Sequence, residues 1–180
     1  MNRGGRLVAV LLVAAWVLTG PAAAAVAAAS LEFAVKANYL VRFAAFVDWP
    51  AAAFDRPDSP MVVCVVGRDP FGAALDQAAA GQVAHGRPMV VRRSATGAGV
   101  DDCRIVYLGA GTPEAVADRL EGARSVLVVT DGGEGRGGVI QFVLVDNRVR
   151  FRIDQAAASR AGLNIGSRLL NLAVSVEGRG

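Results

Sequence analysis

"VVCVVGRDPFG", residues 62–72, decides the fold, because an unbroken apolar run ends there in a glycine turn. Residues 61–67 are apolar at both alternating positions, which is typical of a central strand covered on both faces. The segment GRDPFG lacks the P-loop pattern and the G-x-G-x-x-G spacing. We therefore expect a turn in which Asp69 and Pro70 lead into a helix, and no phosphate-binding loop.

Strands and helices alternate on both sides of this stretch. Apolar β-like runs predict further strands over 87–93, 103–108, 125–130, 139–145 and 148–153. Helices are expected over 30–47, 71–80, 113–121, 154–160 and 166–174. Asp146-Asn147 separates the last two strands and predicts a hairpin. This order predicts an α/β fold, a three-layer domain with a mixed, mostly parallel sheet and a late antiparallel hairpin.

The first predicted helix carries an apolar face too wide to remain in water. Ser30 is the expected N-cap residue, and Pro50 prevents the helix from continuing. Glu32, Lys36, Asn38 and Arg42 form one narrow polar stripe, with Glu32 and Lys36 spaced for an i,i+4 ion pair. We expect the rest of this helix to be buried against the sheet or a partner.

The first 29 residues have the layout of a secretory signal peptide. Arg3 and Arg6 precede a short apolar run over 7–18, and alanines offer several cleavage positions between 25 and 30. An uncleaved N-terminal anchor is the alternative. We expect residues 1–29 to be removed and residues 30–180 to form a single exported domain.

The charge of the chain does not indicate a nucleic-acid partner. It has 19 basic and 16 acidic side chains, and Arg3 and Arg6 would leave with the signal peptide. The remaining domain is then close to neutral, so the sequence predicts no nucleic-acid binding.

Cys64 and Cys103 are the two cysteines, and both lie in predicted strands. In an exported protein a disulfide is the expected state, and two separate buried thiols are the alternative. A catalytic cysteine would need a base, and the one histidine is His85 in a polar turn. Two sulfurs and one imidazole also make an incomplete zinc site. We predict no catalytic residues, no metal and no cofactor, and therefore no enzyme.

Two further segments are candidates for binding. Arg148, Arg150 and Arg152 alternate with apolar residues, which places three guanidinium groups on one face of a strand. They form either a solvated outer face or a basic row for an acidic partner or phosphate. The glycine-rich segment 131–138, DGGEGRGG, is interpreted as a disordered crossover, with a hinge or a ligand-facing loop as the alternative.

The chain resembles the YfiR family of periplasmic bacterial proteins over nearly all of residues 30–180. The motifs that carry the resemblance follow one another in order: VKANYLVRFAAFVDWP, VCVVGRDPFG, GRPMVVRR, CRIVYLG, VLVVTD, GGVIQFVLVDNRVRFRID and AGLNIGSRLLNLA. The resemblance implies a dimer in the periplasm with a structural disulfide at Cys64 and Cys103. A second cysteine pair found in some members is absent, so redox sensing through that pair is not expected here.

The resemblance also implies a function. Family members bind the periplasmic domain of an inner-membrane diguanylate cyclase, YfiN, and repress it, which limits cyclic-di-GMP and biofilm formation. Others occur beside sensor kinases. We expect a non-enzymatic repressor of this kind, with Arg168 beside Leu169, Leu170 and Leu172 as the candidate contact segment. A periplasmic carrier or sensor of an anionic small molecule is the alternative, and a hydrolase ranks third.

Overall fold

A computed structural model describes residues 21–132 and 137–178 of the chain. Its α-helices are α1 (Pro21–Phe43), α2 (Ala73–Ala79), α3 (Glu114–Glu121), α4 (Gln155–Arg160) and α5 (Ser167–Leu172). Short 3₁₀ turns occupy Ala44–Phe46, Ala51–Ala53 and Val100–Asp102. No helix in these ranges is long and apolar enough to cross a membrane.

The strands form one large mixed sheet and a small separate pair. They are β1 (Val47–Asp48), β2 (Met61–Val66), β3 (Val83–Ala84), β4 (Arg87–Ser94), β5 (Ile105–Leu108), β6 (Leu127–Asp131), β7 (Ile140–Val145), β8 (Arg148–Asp154), β9 (Asn164–Ile165) and β10 (Ser175–Glu177). The large sheet has the order β10-β8-β7-β6-β5-β2-β4-β3, and β1 pairs with β9 outside it. Strands β4, β2, β5, β6 and β7 run parallel, whereas β7 and β8 are antiparallel. The predicted α/β class and the mixed, mostly parallel sheet are confirmed.

The two faces of the sheet bury two apolar clusters. Alternate residues of β2 point to opposite sides, so Met61, Val63 and Val65 join the larger cluster with α1 and α2. Val62 and Cys64 join the smaller cluster on the other face, beneath α3. Helices on both faces explain why the whole of β2 is buried, as its sequence predicts.

The late hairpin forms at the predicted position. Asp146 and Asn147 both have positive φ, as a two-residue turn between twisted strands requires. Asp154 then ends β8 and caps α4, because its Oδ1 accepts a hydrogen bond from the backbone N–H of Ala157 at 2.8 Å.

Several predicted boundaries are wrong. Ser30 lies inside α1 and caps nothing, because helix continues on both sides of it. The helix ends at Phe43 and tightens into a 3₁₀ turn before Pro50. Cys103 follows a 3₁₀ turn and precedes β5. The last predicted helix stops at Leu172, and the chain returns to the sheet as β10.

Some predictions fall on residues outside the described ranges. Residues 1–20 of the predicted signal peptide are among them. The predicted cleavage positions between 25 and 30 lie within α1, and both export and cleavage stay predictions. Residues 133–136, the centre of the glycine-rich segment, also lie outside the described ranges.

Candidate functional site

Lys36 is the centre of a buried polar network between α1 and the sheet. Its side chain projects from a helix face lined by aromatic rings, and the residue is 2 % exposed. Nζ donates to Asp131 Oδ2 at 2.6 Å and to Oδ1 at 2.8 Å, and it also contacts Glu32 Oε1. Tyr107 completes the network, since its hydroxyl donates to Asp131 Oδ2 at 3.2 Å.

The sequence predicted only part of this arrangement. The i,i+4 pair of Glu32 and Lys36 is confirmed. Lys36 does not belong to a solvated polar stripe, however, because Asp131 at the end of β6 draws it into the interior. Phe33 and Tyr39, on either side of Lys36 in the sequence, could have indicated this burial, because a lysine among aromatic residues lies near apolar surface.

A cleft opens at the edge of the sheet where the parallel strands β2, β5 and β6 end. It has a volume of about 450 Å³. Its lining includes Arg68 and Pro70 after β2, the segment Gly109–Thr112 after β5, and Asp131 of the Lys36 network. The sequence did not predict this cleft, because it assigned GRDPFG to a simple turn.

The cleft lies at the topological switch point of the sheet. β2 has β4 on one side and β5 on the other. The helix after β2, α2, packs on the face of the larger cluster through Leu75, and the helix after β5, α3, packs on the opposite face through Leu120. The loops after β2 and β5 therefore diverge and leave a crevice, which is where open α/β sheets bind ligands.

Two glycines allow the walls of this crevice to approach one another. A Cβ on Gly109 would lie 2.2 Å from the carbonyl oxygen of Arg68, and a Cβ on Gly67 would lie 2.9 Å from that of Ala110. The backbone N–H of Arg68 donates to Ala110 O at 2.8 Å, and Thr112 Oγ1 donates to Gly109 O at 2.7 Å. The loops after β2 and β5 thus form one hydrogen-bonded unit.

Cys64 and Cys103 form a disulfide, as predicted for an exported chain. Cys64 is 3 % exposed and Cys103 is fully buried, in the apolar cluster beneath α3. Their Cα atoms are 5.9 Å apart. Since these are the chain's two cysteines, the bridge leaves no thiol for catalysis or metal binding.

His85 has a structural role. Its Nε2 lies 2.9 Å from the carbonyl oxygen of Ala44 and 3.0 Å from that of Val47. Both partners only accept hydrogen bonds, so Nε2 carries the proton and donates to them. The imidazole thereby fixes the segment that follows α1, with Trp49 packed edge-on against it.

The three arginines of β8 share one exposed face. Arg148, Arg150 and Arg152 are exposed, whereas Phe151 and Ile153, on the other face of the strand, are buried in the apolar cluster that includes α1. None of the three forms an ion pair with another residue in the described ranges. The basic row therefore exists as a surface, and its role in binding stays a prediction.

Arg168 lies apart from this row, in the first turn of α5. It is exposed, and no described residue pairs with it. Leu169 is 2 % exposed, Leu170 is half-buried and Leu172 is 55 % exposed. Leu172 is therefore the exposed leucine of the three, and Val174 adds a second exposed apolar side chain. A role of this segment in partner binding stays a prediction.

A surface network joins Arg93 of β4 to the turn that follows β2. Arg93 donates to Asp69 at 2.6 Å and to both carboxylate oxygens of Asp76 at 2.9 and 2.8 Å. The hydrogen bonds from Arg93 lower the pKa of Asp76, and those from Asp76 and Asp69 raise the pKa of Arg93. Burial instead lowers the pKa of Arg104. These groups hold the turn in place, and none of them lies in an acid–base pair suited to catalysis.

Metal-binding clusters of three or more His, Cys, Asp or Glu residues are absent from the described part of the chain. Residues 33–174 match the model of a protein family described as YfiR/HmsC-like. No curated protein matches the chain.

Proposed function

Because the chain belongs to the YfiR/HmsC-like family, we propose that it is a periplasmic, non-enzymatic regulator of diguanylate cyclase signalling. It binds the sensor domain of an inner-membrane signalling enzyme, a diguanylate cyclase, and represses it. Less cyclic-di-GMP and less biofilm formation follow from that repression. The observation that supports the proposal is the family match, which extends over residues 33–174.

The surface formed by Arg168, Leu172 and Val174 supports a protein partner. Leu172 is 55 % exposed and Val174 is 44 % exposed, and an exposed guanidinium lies on the same short segment. Arginine beside apolar side chains is a common composition of the centre of protein–protein interfaces. We assign this surface, the α5 surface, to the sensor domain of the cyclase.

The arginine row of β8 supplies a second candidate contact. Its three guanidinium groups are exposed and have no ion-pair partners among the described residues. Such charges raise the association rate with an acidic domain more than they raise the affinity. In this proposal Arg148, Arg150 and Arg152 steer association, and the α5 surface provides the buried contact. The chain acts as a homodimer, and light scattering on the purified protein would measure that state.

Deletion of the gene tests the proposal directly. We expect deletion to raise cyclic-di-GMP and surface attachment, and pull-down from solubilised inner membranes to recover a diguanylate cyclase. Recovery of a sensor kinase instead would support the regulator function and would identify the kinase, not a cyclase, as the partner. Unchanged cyclic-di-GMP together with no recovered cyclase or kinase would contradict the proposal.

Arg168→Glu refines the test to one surface. The variant should reproduce part of the deletion phenotype without loss of folding, because Arg168 is exposed. Arg119→Glu is the matched control, since Arg119 lies on α3 across the sheet and is also exposed. Equal phenotypes for the two variants would exclude the α5 surface as the contact.

A further inference from the structure

We propose that the switch-point cleft binds a small organic anion, a carboxylate or a phosphate monoester with an apolar or aromatic body. The proposal is independent of the regulator function, because it rests on the lining of the cleft alone. The volume of about 450 Å³ suits such a molecule, since small-molecule sites range over roughly 300–1,000 Å³.

Arg68 provides the charge for this anion. It lines the cleft, its side chain is exposed, and it makes no ion pair within the described ranges. Its backbone is fixed by the hydrogen bond to Ala110, so the guanidinium projects from a rigid loop. Guanidinium groups bind carboxylates and phosphates through paired, charge-assisted hydrogen bonds.

The loop after β5 provides backbone donors in the same cleft lining as Arg68. Within the described part of the chain, the N–H groups of Ala110 and Gly111 donate to no other residue, whereas those of Gly109 and Thr112 do. Gly111 has a φ of +76°, and a Cβ at that position would meet nothing within 4 Å. A backbone with positive φ and open space in front of it can approach an anion closely.

The remaining walls suit an apolar body. Phe33, Pro70 and Leu108 line the cleft, and Tyr107 adds an aromatic ring. Thr130 lies on the same lining, 5 % exposed, and its hydroxyl has no hydrogen-bond partner among the residues that the structure describes. A buried hydroxyl without a partner is unusual in a folded protein, and a polar group of the ligand beside Thr130 would supply one.

The carboxylate of Asp131 does not oppose an anion in this cleft. Both of its oxygens accept hydrogen bonds from Lys36, and Tyr107 and the backbone N–H of Gly132 donate to it as well. Its negative charge is therefore already paired. Arg68 is the cation in the lining that has no ion-pair partner among the described residues.

The test is a titration followed by nuclear magnetic resonance on the isotopically labelled, purified protein. The probes are phenylacetate and phenyl phosphate, with benzyl alcohol as the neutral control of similar shape. We expect at least one anion to shift the amide signals of Gly109, Ala110 and Gly111, and benzyl alcohol to shift them far less. The comparison of the two anions identifies whether carboxylate or phosphate is preferred.

Arg68→Ala should weaken the binding of that anion by about tenfold to a hundredfold, as expected for loss of a charge-assisted hydrogen bond. Arg92→Ala is the matched control, because Arg92 is a half-exposed arginine outside this cleft, and it should bind as the unmodified protein does. Failure of both anions to bind, equal binding of benzyl alcohol, or unchanged affinity in Arg68→Ala would overturn the proposal.

Discussion

Lys36 Nζ lies 2.6 Å from Asp131 Oδ2, although 95 positions separate the two residues in the chain. The ion pair joins the middle of α1 to the carboxyl end of β6. Because the lysine is 2 % exposed, the two carboxylates that contact it take the place of the water that would otherwise solvate its side chain. The first helix is therefore fixed to the sheet by charge as well as by apolar contact.

Asp131→Asn should destabilise the protein strongly. It removes one counter-charge from a buried ammonium group, and breaking one partner of a buried pair costs about 3–5 kcal/mol. Glu32 still contacts Lys36, and Asp131 is partly exposed, so we expect the lower end of that range. Urea unfolding at neutral pH measures the loss.

Lys36→Met is the informative comparison for that variant. It removes the buried charge and keeps the apolar stem, so we expect a smaller loss than in Asp131→Asn. The double variant Lys36→Met, Asp131→Asn should be more stable than Asp131→Asn alone. A double variant as unstable as the sum of both changes would show that the pair is not coupled.

The sequence predicted the elements of this fold better than the contacts between them. The apolar run of β2 and the hairpin at Asp146-Asn147 are local patterns, and both are confirmed. The Lys36–Asp131 pair is not local, because it depends on where α1 crosses the sheet. A polar stripe on a helix gives no information on which of its members meets a distant carboxylate.

The same limit applies to the switch-point cleft. Arg68 and Gly109–Thr112 lie far apart in sequence, and each segment taken alone resembles an ordinary turn. Only the strand order, with β5 and β4 on opposite sides of β2, places them at one edge. The short strands β3, β9 and β10 were not predicted for a related reason, since two or three residues carry too little pattern to be distinguished from loop.

Phe43→Ala should cost about 3–5 kcal/mol, because the ring is fully buried and its removal leaves a cavity in the core. Its neighbours are Phe142 and Phe151 from the sheet, with ring centroids at 5.8 and 5.2 Å. Leu31→Ala is the control on the same helix, as Leu31 is 67 % exposed. Equal melting temperatures for the two variants would show that α1 does not anchor the core.

Reduction of the Cys64–Cys103 bridge should destabilise the protein. It should expose no reactive thiol at the surface of the folded protein, because both cysteines are buried. The cysteines are 39 positions apart, and closing a loop of that length stabilises a fold by about 4 kcal/mol in the chain-entropy model. Cys64→Ser should show a loss of similar size. Mass spectrometry after alkylation in denaturant, with and without reductant, measures the bridge, and two reactive thiols without reductant would contradict it.

Asp76 should contribute to stability in a pH-dependent way. Its pKa lies below the ordinary value of 3.8 because Arg93 donates two hydrogen bonds to it. A carboxyl whose pKa is lower in the folded than in the unfolded protein stabilises the folded state at pH values above the unfolded pKa. That stabilisation is lost as the pH falls through the folded pKa. Asp76 is more than half exposed, so we expect at most about 1 kcal/mol.

Asp76→Asn should therefore be slightly less stable than the unmodified protein at pH 7, and the difference should shrink in acid below the unfolded pKa. Asp58→Asn is the control, since the Asp58 carboxylate is 78 % exposed and pairs with an equally exposed arginine. Urea unfolding at several pH values measures both. A constant difference across the acid range would mean that Asp76 acts through packing.

Substitutions at Leu169 and Leu172, on the same short helix, should distinguish an effect on folding from an effect on partner binding. Leu169 is 2 % exposed and Leu172 is 55 % exposed, so Leu169→Ala should cost about 2–5 kcal/mol of unfolding free energy. Leu172→Asp should change stability by no more than about 0.5 kcal/mol. If the α5 surface binds the cyclase, Leu172→Asp should still reduce the amount of cyclase recovered from solubilised membranes. Full recovery with Leu172→Asp, at unchanged stability, would place the contact elsewhere and leave Leu172 as an isolated apolar side chain in solvent.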